Sequence, residues 1–175
     1  MKLMPAKKAL YPGSFDPFTL GHLDVLVRAV EIFDCVEIAI ASNSRKKSIL
    51  NAKERESLVK TATANLPNVK VSIVEGLVID YARANDYRIL LRGIRAANDF
   101  EQELEMSQIN RSLSLKGYKD SIETIFLMTS PEYSFIRASR VWELLELGGD
   151  VSTLVPDCVS KYLEGRNIGY FQQTR

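Results

Sequence analysis

The chain's single histidine, His22, closes the stretch Tyr11-Pro12-Gly13-Ser14-Phe15-Asp16-Pro17-Phe18-Thr19-Leu20-Gly21-His22. Two prolines and a glycine make that stretch a stiff turn. Thr19 is placed to cap a helix whose first turn is Leu20 to His22. Backbone N–H groups at a helix start favour an anion, Gly21 lets a ligand approach the backbone, and His22 would stand beside the same phosphate as a hydrogen-bond donor. Three more clusters follow short apolar runs. Arg45-Lys46-Lys47 is the first; a bare charge run is ordinarily a solvated loop, but at the ligand end of a strand an ammonium neutralises a transferring phosphate. Leu91-Arg92-Gly93-Ile94-Arg95 offers arginine forks, which match phosphate oxygens in pairs. Tyr133-Ser134-Phe135-Ile136-Arg137-Ala138-Ser139 offers serines that can cap a helix and bond phosphate. The plain alternatives are a packing histidine, a turn with two exposed arginines and a simple cap at Ser139. No nucleophile elbow surrounds Ser14, and neither a Walker A nor a G-x-G-x-x-G spacing occurs.

The elements that must carry these clusters alternate. Ala9-Leu10-Tyr11 predicts a strand closing at Pro12-Gly13. Leu23, Leu26, Val27, Val30 and Phe33 recur at helical spacing. Cys35 to Ala41 predicts a buried strand, and Leu58, Val59, Ala62 and Leu66 a helix. Val69 to Val74 alternates as a strand does, Val78 to Ala82 predicts a short helix, and Arg88 to Leu91 a fourth strand. A longer helix is expected over Asn98 to Leu115, and a fifth strand over Glu123 to Met128. Val141, Leu144 and Leu145 mark another helix, stopped by Gly148-Gly149, and Pro156 opens a last one. Regular strand–helix alternation predicts an α/β fold: a doubly wound, Rossmann-like, five-stranded parallel sheet with helices on both faces. Ligands in such folds bind beyond the C-terminal ends of the strands. Lys53-Glu54-Arg55-Glu56 reads as an exposed helix face with opposite charges in reach, and Trp142 as core or interface.

Composition sets the limits. The 175 residues are 46% hydrophobic and 26% charged, which is ordinary for one globular domain. A single domain over 1–175 is expected, with 1–8 and 169–175 frayed. The formal net charge of +1 argues against broad nucleic-acid binding. Two distant cysteines, Cys35 and Cys158, fit a reducing cytoplasm rather than a disulfide framework. No zinc spacing, signal peptide or membrane-spanning apolar run is read, so no metal site, nucleic acid or membrane is expected.

Thr19-Leu20-Gly21-His22 matches the T/H-x-G-H motif of the nucleotidylyltransferase superfamily, and Gly13-Ser14-Phe15-Asp16-Pro17 matches its lead-in. Within it, the chain from about Ala9 to its last helix resembles the bacterial phosphopantetheine adenylyltransferases. The nicotinamide and nicotinate mononucleotide enzymes usually carry histidine in place of Thr19. The resemblance implies transfer of the adenylyl group of ATP to 4'-phosphopantetheine, giving dephospho-coenzyme A and pyrophosphate in coenzyme A biosynthesis. It implies His22 as the catalytic residue, steadying the α-phosphate. Lys46 and Arg92 would hold the attacking phosphate, Ser14 and Phe15 would contact substrate and ATP, and Val78 the pantetheine arm. Gly93, Ile94, Arg95 and Glu103 would face ATP, together with Tyr133, Ser134, Phe135, Ile136, Arg137, Ala138 and Ser139. Mg²⁺ carried with ATP, a homohexamer, cytoplasmic location and feedback by coenzyme A are implied too. The family's usual hydroxyl run after the isoleucine is here Arg137-Ala138-Ser139; Arg137 either takes over phosphate contact or turns outward. Apolar residues spread over more than one stripe of the Asn98–Leu115 helix, as if two faces were covered. Two alternatives remain: a sister enzyme acting on a pyridine mononucleotide, or on glycerol phosphate with CTP, and a nucleotide-binding regulatory module without the chemistry.

Overall fold

The computed structural model describes residues 6–41, 48–115 and 121–166. The strands are β1 (Lys8–Gly13), β2 (Cys35–Ala41), β3 (Val69–Val74), β4 (Ile89–Ile94) and β5 (Glu123–Met128). Between and after them run α1 (Leu20–Ile32), α2 (Ala52–Ala62), α3 (Val78–Ala84), α4 (Ala97–Leu115), α5 (Ala138–Glu146) and α6 (Asp157–Gly165). All strand pairs are parallel, in the order β3-β2-β1-β4-β5. The chain winds outward from β1 through β2 to β3, then returns to lay β4 on the other side of β1. The strand order therefore switches between β1 and β4, which is where open sheets of this kind part to admit a ligand. The expected doubly wound α/β sheet is what the chain forms.

Both faces of the sheet are covered, as a parallel sheet requires. On β2, Val36, Ile38 and Ile40 point into one apolar layer with Val25, Leu26 and Ala29 of α1, Leu58 and Val59 of α2, Val141 and Trp142 of α5, and Val159 and Leu163 of α6. The alternate residue Ala39 points into the other, with Ile79 and Ala82 of α3. The period of two seen in the sequence is thus a division between two cores. Each fully buried aliphatic side chain contributes about 1.5–3 kcal/mol, so the sheet is a rigid base for whatever stands at its rim.

Two boundaries differ from expectation. β4 runs on through Arg92, Gly93 and Ile94, which pair with Phe126, Leu127 and Met128 of β5. These residues are strand, not the exposed turn that the glycine suggested, because the pairing partner continues. β1 closes at Pro12-Gly13 as expected, alongside Ala39 and Ile40. Lys8 opens β1 and the Lys7 N–H donates to the Asp34 carboxylate at 2.7 Å, so residues 7 and 8 are tied down. The expectations for residues 1–5 and 169–175 lie outside the described residues. Among the described residues no helix is long and apolar enough to cross a membrane.

Candidate active site

A cleft of about 700 Å³ opens at the switch point. The end of β1 supplies Tyr11, Pro12 and Gly13, the following turn Ser14 and Phe15, and the start of α1 Thr19, Gly21 and His22. β4 supplies Arg92 and Gly93, the α4 side Arg95, Asp99 and Glu103, and the start of α5 Arg137, Ala138 and Ser139.

The start of α1 is accounted for group by group. Four N–H groups at a helix start lack intrahelical partners. Thr19 is the N-cap; its N–H donates to Nδ1 of His22 at 3.0 Å. The Leu20 N–H donates to the Leu154 carbonyl at 2.9 Å, and the His22 N–H to Thr19 Oγ1 at 3.3 Å. Only the Gly21 N–H has no partner among the described residues. The helix thus offers the cleft one backbone donor, fewer than the motif suggested. A Cβ on Gly21 would meet the protein only at ordinary distances, 3.6 Å and beyond, so this glycine keeps space open on the cleft side. Gly93 has an internal reason instead: a Cβ there would come within 3.0 Å of Val25 on α1.

His22 completes a capping box in which an imidazole stands where glutamate is usual. Because Nδ1 accepts the Thr19 N–H, the neutral ring carries its proton on Nε2. The ring lies edge-on to Phe15, with centroids 5.1 Å apart, and stacked on Phe18 at 5.7 Å. Burial, then the nearby charges of Arg95 and Arg92, push its pKa down to about 3. The imidazole is therefore neutral at ordinary pH, and both arginines are close enough to act on it.

Arg92 and Arg95 are each held by a carboxylate of α4. Arg92 donates through Nε and Nη2 to both oxygens of Glu103, at 2.6 and 2.5 Å, and through Nη1 to the Pro12 carbonyl at 2.5 Å. Arg95 donates to both oxygens of Asp99, at 2.9 and 3.2 Å, and to the Ile136 carbonyl at 3.0 Å. Asp99 and Glu103 sit one helical turn apart, so one face of α4 serves both. Arg137 lines the same cleft as the exposed N-cap of α5 with no side-chain cap bond. Its side chain has no ion pair or hydrogen bond among the described residues. Ser139 is the second residue inside α5, not its cap.

α1 is fastened to the far side of the cleft by Asp24. Its carboxylate accepts from the Ser130 N–H at 2.9 Å, Ser130 Oγ at 2.6 Å and Arg28 Nη2 at 3.0 Å. Burial alone would raise its pKa, but the Ser130 bonds and Arg28 outweigh it and hold the group below the usual range. On the near side Trp142 Nε1 donates to the Asp16 carbonyl at 2.9 Å.

Of the residues singled out in the sequence, Ser14, Phe15, His22, Arg92, Gly93, Arg95, Glu103, Ile136, Arg137, Ala138 and Ser139 meet in the cleft. Ile94 is 1% exposed in the core, and Tyr133, Ser134 and Phe135 lie beside the cleft rather than in its wall. Val78, the first residue of α3, packs against the apolar layer around Ile79 and Ala82. Lys46 and its neighbours Arg45 and Lys47 lie outside the described residues. Asp99 and Thr129 are cleft residues that the sequence did not flag; Asp99 was findable, four residues after Arg95 on a predicted helix. Arg55 reverses its expected place. It is 3% exposed, because α2 turns that side of its first turns inward onto the loops at the rim.

Residues 10–144 match the cytidylyltransferase-like family model. A phosphopantetheine adenylyltransferase of Rubrobacter xylanophilus is 48% identical over 149 residues, spanning 85% of this chain and 88% of that one. One from Thermosynechococcus vestitus is 49% identical over 89% and 90% of the two chains, and one from Gloeobacter violaceus 46% identical over 92% and 97%. Among solved structures, a Vibrio parahaemolyticus protein provisionally assigned as a nicotinate-nucleotide adenylyltransferase superposes with a TM-score of 0.63. It covers 91% of this chain and 99% of that one at 19% identity, a likeness of fold alone.

Proposed function

The chain belongs to the phosphopantetheine adenylyltransferases, within the cytidylyltransferase-like family, and from that premise we propose how its cleft performs the reaction. The enzyme transfers the adenylyl group of ATP to 4'-phosphopantetheine, giving dephospho-coenzyme A and pyrophosphate, a step of coenzyme A biosynthesis. A phosphate oxygen of phosphopantetheine attacks the α-phosphorus of ATP in line, that oxygen–phosphorus bond forms, and the bond to the pyrophosphate oxygen breaks. The nucleophile is already ionised near neutral pH, so the protein supplies position and charge rather than a base.

His22 Nε2–H donates to an oxygen of the α-phosphate, where charge builds up in the transition state. The free N–H of Gly21 serves the same group. Arg92 and Lys46 hold the attacking phosphate, and Ser14 and Phe15 border both substrates. Arg95, Gly93 and the Arg137–Ser139 start of α5 line the ATP side, with Ile94 and Tyr133 to Ile136 behind them. Arg137, having no carboxylate to release, takes the phosphate contact left by the missing hydroxyls. Val78 is kept as the pantetheine-arm contact on family grounds. Mg²⁺ arrives as part of the MgATP substrate and aids departure of pyrophosphate. Both carboxylates of the described cleft, Asp99 and Glu103, are engaged by arginines, and the ion would be carried on the phosphate oxygens of ATP.

A homohexamer in the cytoplasm, with coenzyme A binding as product or inhibitor, completes the reading. The exposed Phe100, Leu104 and Ile109 of α4 and Ile125 and Met128 of β5 are the apolar surface such an assembly would cover. What carries the mechanism is the convergence of His22, Arg92, Arg95 and the Gly21 N–H on one cleft. The test is pyrophosphate release with ATP and 4'-phosphopantetheine, compared with pyridine mononucleotides and with glycerol phosphate plus CTP. Release with the first pair alone is expected; ATP binding without any release would mark a regulatory module.

A further inference from the structure

Arg55, on the second turn of α2, lies outside the cleft wall yet touches the backbone beneath it. Its Nη1 donates to the Ser14 carbonyl at 2.5 Å and reaches the Ala41 carbonyl at 3.5 Å, while Nε donates to the Leu50 carbonyl at 3.2 Å. Ser14 belongs to the turn before α1, Ala41 ends β2, and Leu50 directly precedes Asn51, the cap of α2. One buried guanidinium therefore binds three separate stretches of chain. Burial of such a charge is costly unless its donors are satisfied. Here no carboxylate pairs with it among the described residues. The planar fork presents these donors from two separated nitrogens, Nε and Nη1, in fixed directions, whereas a lysine ammonium gathers its three donors at one point. The same turn is held a second time by Asp16, whose carboxylate accepts from the Ile49 N–H at 2.7 Å and the Leu50 N–H at 3.1 Å.

We propose that Arg55 is a positioning residue for adenylyl transfer: by fixing the Ser14–Phe15 turn against the end of β2 and the start of α2, it sets the orientation of His22. The route is short. Phe15 follows the anchored carbonyl with a φ of 49°, a conformation a bulky side chain adopts only when its surroundings impose it. Its ring is the edge against which the His22 imidazole rests. Releasing the Ser14 carbonyl frees the turn, and the ring that aims Nε2 goes with it. Burial lowers the pKa of Arg55, opposed by the charge of Asp16, consistent with a cation kept for its geometry.

The proposal rests on the adenylyl-transfer reading, and the two fail differently. Failure of that reading appears in the unaltered enzyme, as no phosphopantetheine-dependent pyrophosphate. For the proposal, Arg55→Lys is assayed for kcat, ATP binding by calorimetry and thermal unfolding. A misplacement of about 1 Å costs on the order of 100-fold in kcat, and that loss is expected. ATP affinity should fall far less than kcat, since Arg95 and Arg137 stand on other elements and only the Ser14–Phe15 border of the nucleotide is loosened. A folded variant with unaltered kcat overturns the proposal, as does a loss of kcat and ATP-binding capacity in step with the folded fraction. Should Arg55→Lys not fold, Asp16→Asn loosens the same turn with Arg55 in place. A fall in kcat with ATP affinity retained sustains the inference, and an unchanged kcat overturns it.

Discussion

Two polar clusters interrupt the apolar interior, and they differ in what lies beside them. Beneath the sheet, Glu37 of β2 is 6% exposed. Its two oxygens accept from Tyr81 and Tyr87 hydroxyls, each at 2.5 Å. Burial raises its pKa, but the hydroxyls of Tyr81, Tyr87 and Ser72 more than reverse that. At the rim, Arg92 and Arg95 are satisfied just as fully, by Glu103 and Asp99, but a cleft lies alongside. Satisfaction alone therefore does not distinguish a working site from a structural one. The distinction is exchangeability: a phosphate can replace a carboxylate on an arginine fork, oxygen for oxygen, whereas Glu37 is buried against two tyrosine hydroxyls.

The sharpest break of this contrast is His22→Ala. Loss of a donor aimed at a developing charge should lower kcat by about 10²–10³-fold, with ATP binding little changed; steady-state pyrophosphate release measures it. Next, Arg92→Met should raise the KM for phosphopantetheine by about 10- to 100-fold, the worth of a hydrogen bond to a charged group, and leave Glu103 unpaired. The opposite signature is expected from Glu37→Gln. Weakening two buried bonds should cost about 1–3 kcal/mol of stability, read as a melting shift of roughly 2–4 °C per kcal/mol, while kcat stays at its original value. If Glu37→Gln lowered kcat as much as Arg92→Met, the contrast would collapse.

The smallest effect is a silence. With one histidine in the chain, its imidazole signals are unambiguous by NMR, and they should not titrate between pH 8 and 5 in the free protein, given the pKa pushed down to about 3. Bound phosphates should move the titration upward, since negative charge favours imidazolium. The sign for stability follows. Between the unfolded value near 6.5 and the folded value near 3, the unfolded chain binds the extra proton, so stability falls as pH drops through that window. His22→Gln should remove that component from an acid-unfolding series.

Most of the scaffold was legible because each element obeyed its own period. Glu123–Met128 emerged with its expected bounds, and Thr19 capped α1 as read. The site was legible where a motif spans one turn, as in Ser14 to His22. It was obscure where a residue acts across the fold. Arg55 looks like any charged residue on an amphipathic helix, and only the packing of α2 against two loops turns it inward. The pairing of Arg92 with Glu103 joins residues eleven apart, on a strand and a helix whose relative placement no local pattern reveals. Ile94 is implied as an ATP contact by the resemblance alone; three pairings beyond Leu91, of Arg92 with Phe126, Gly93 with Leu127 and Ile94 with Met128, carry β4 onward and leave the Ile94 side chain in the core.

The Leu154 carbonyl occupies the first N–H of α1, ten residues beyond where the family match ends. Val151, Val155, Val159 and Leu163 of the same stretch are all buried in the core that α1 shares. A minimal version trimmed to the matched span would keep every cleft side chain and still lose its foundation. The helix bearing the imidazole would then begin with a second bare donor, and water would compete at the very spot meant for the nucleotide.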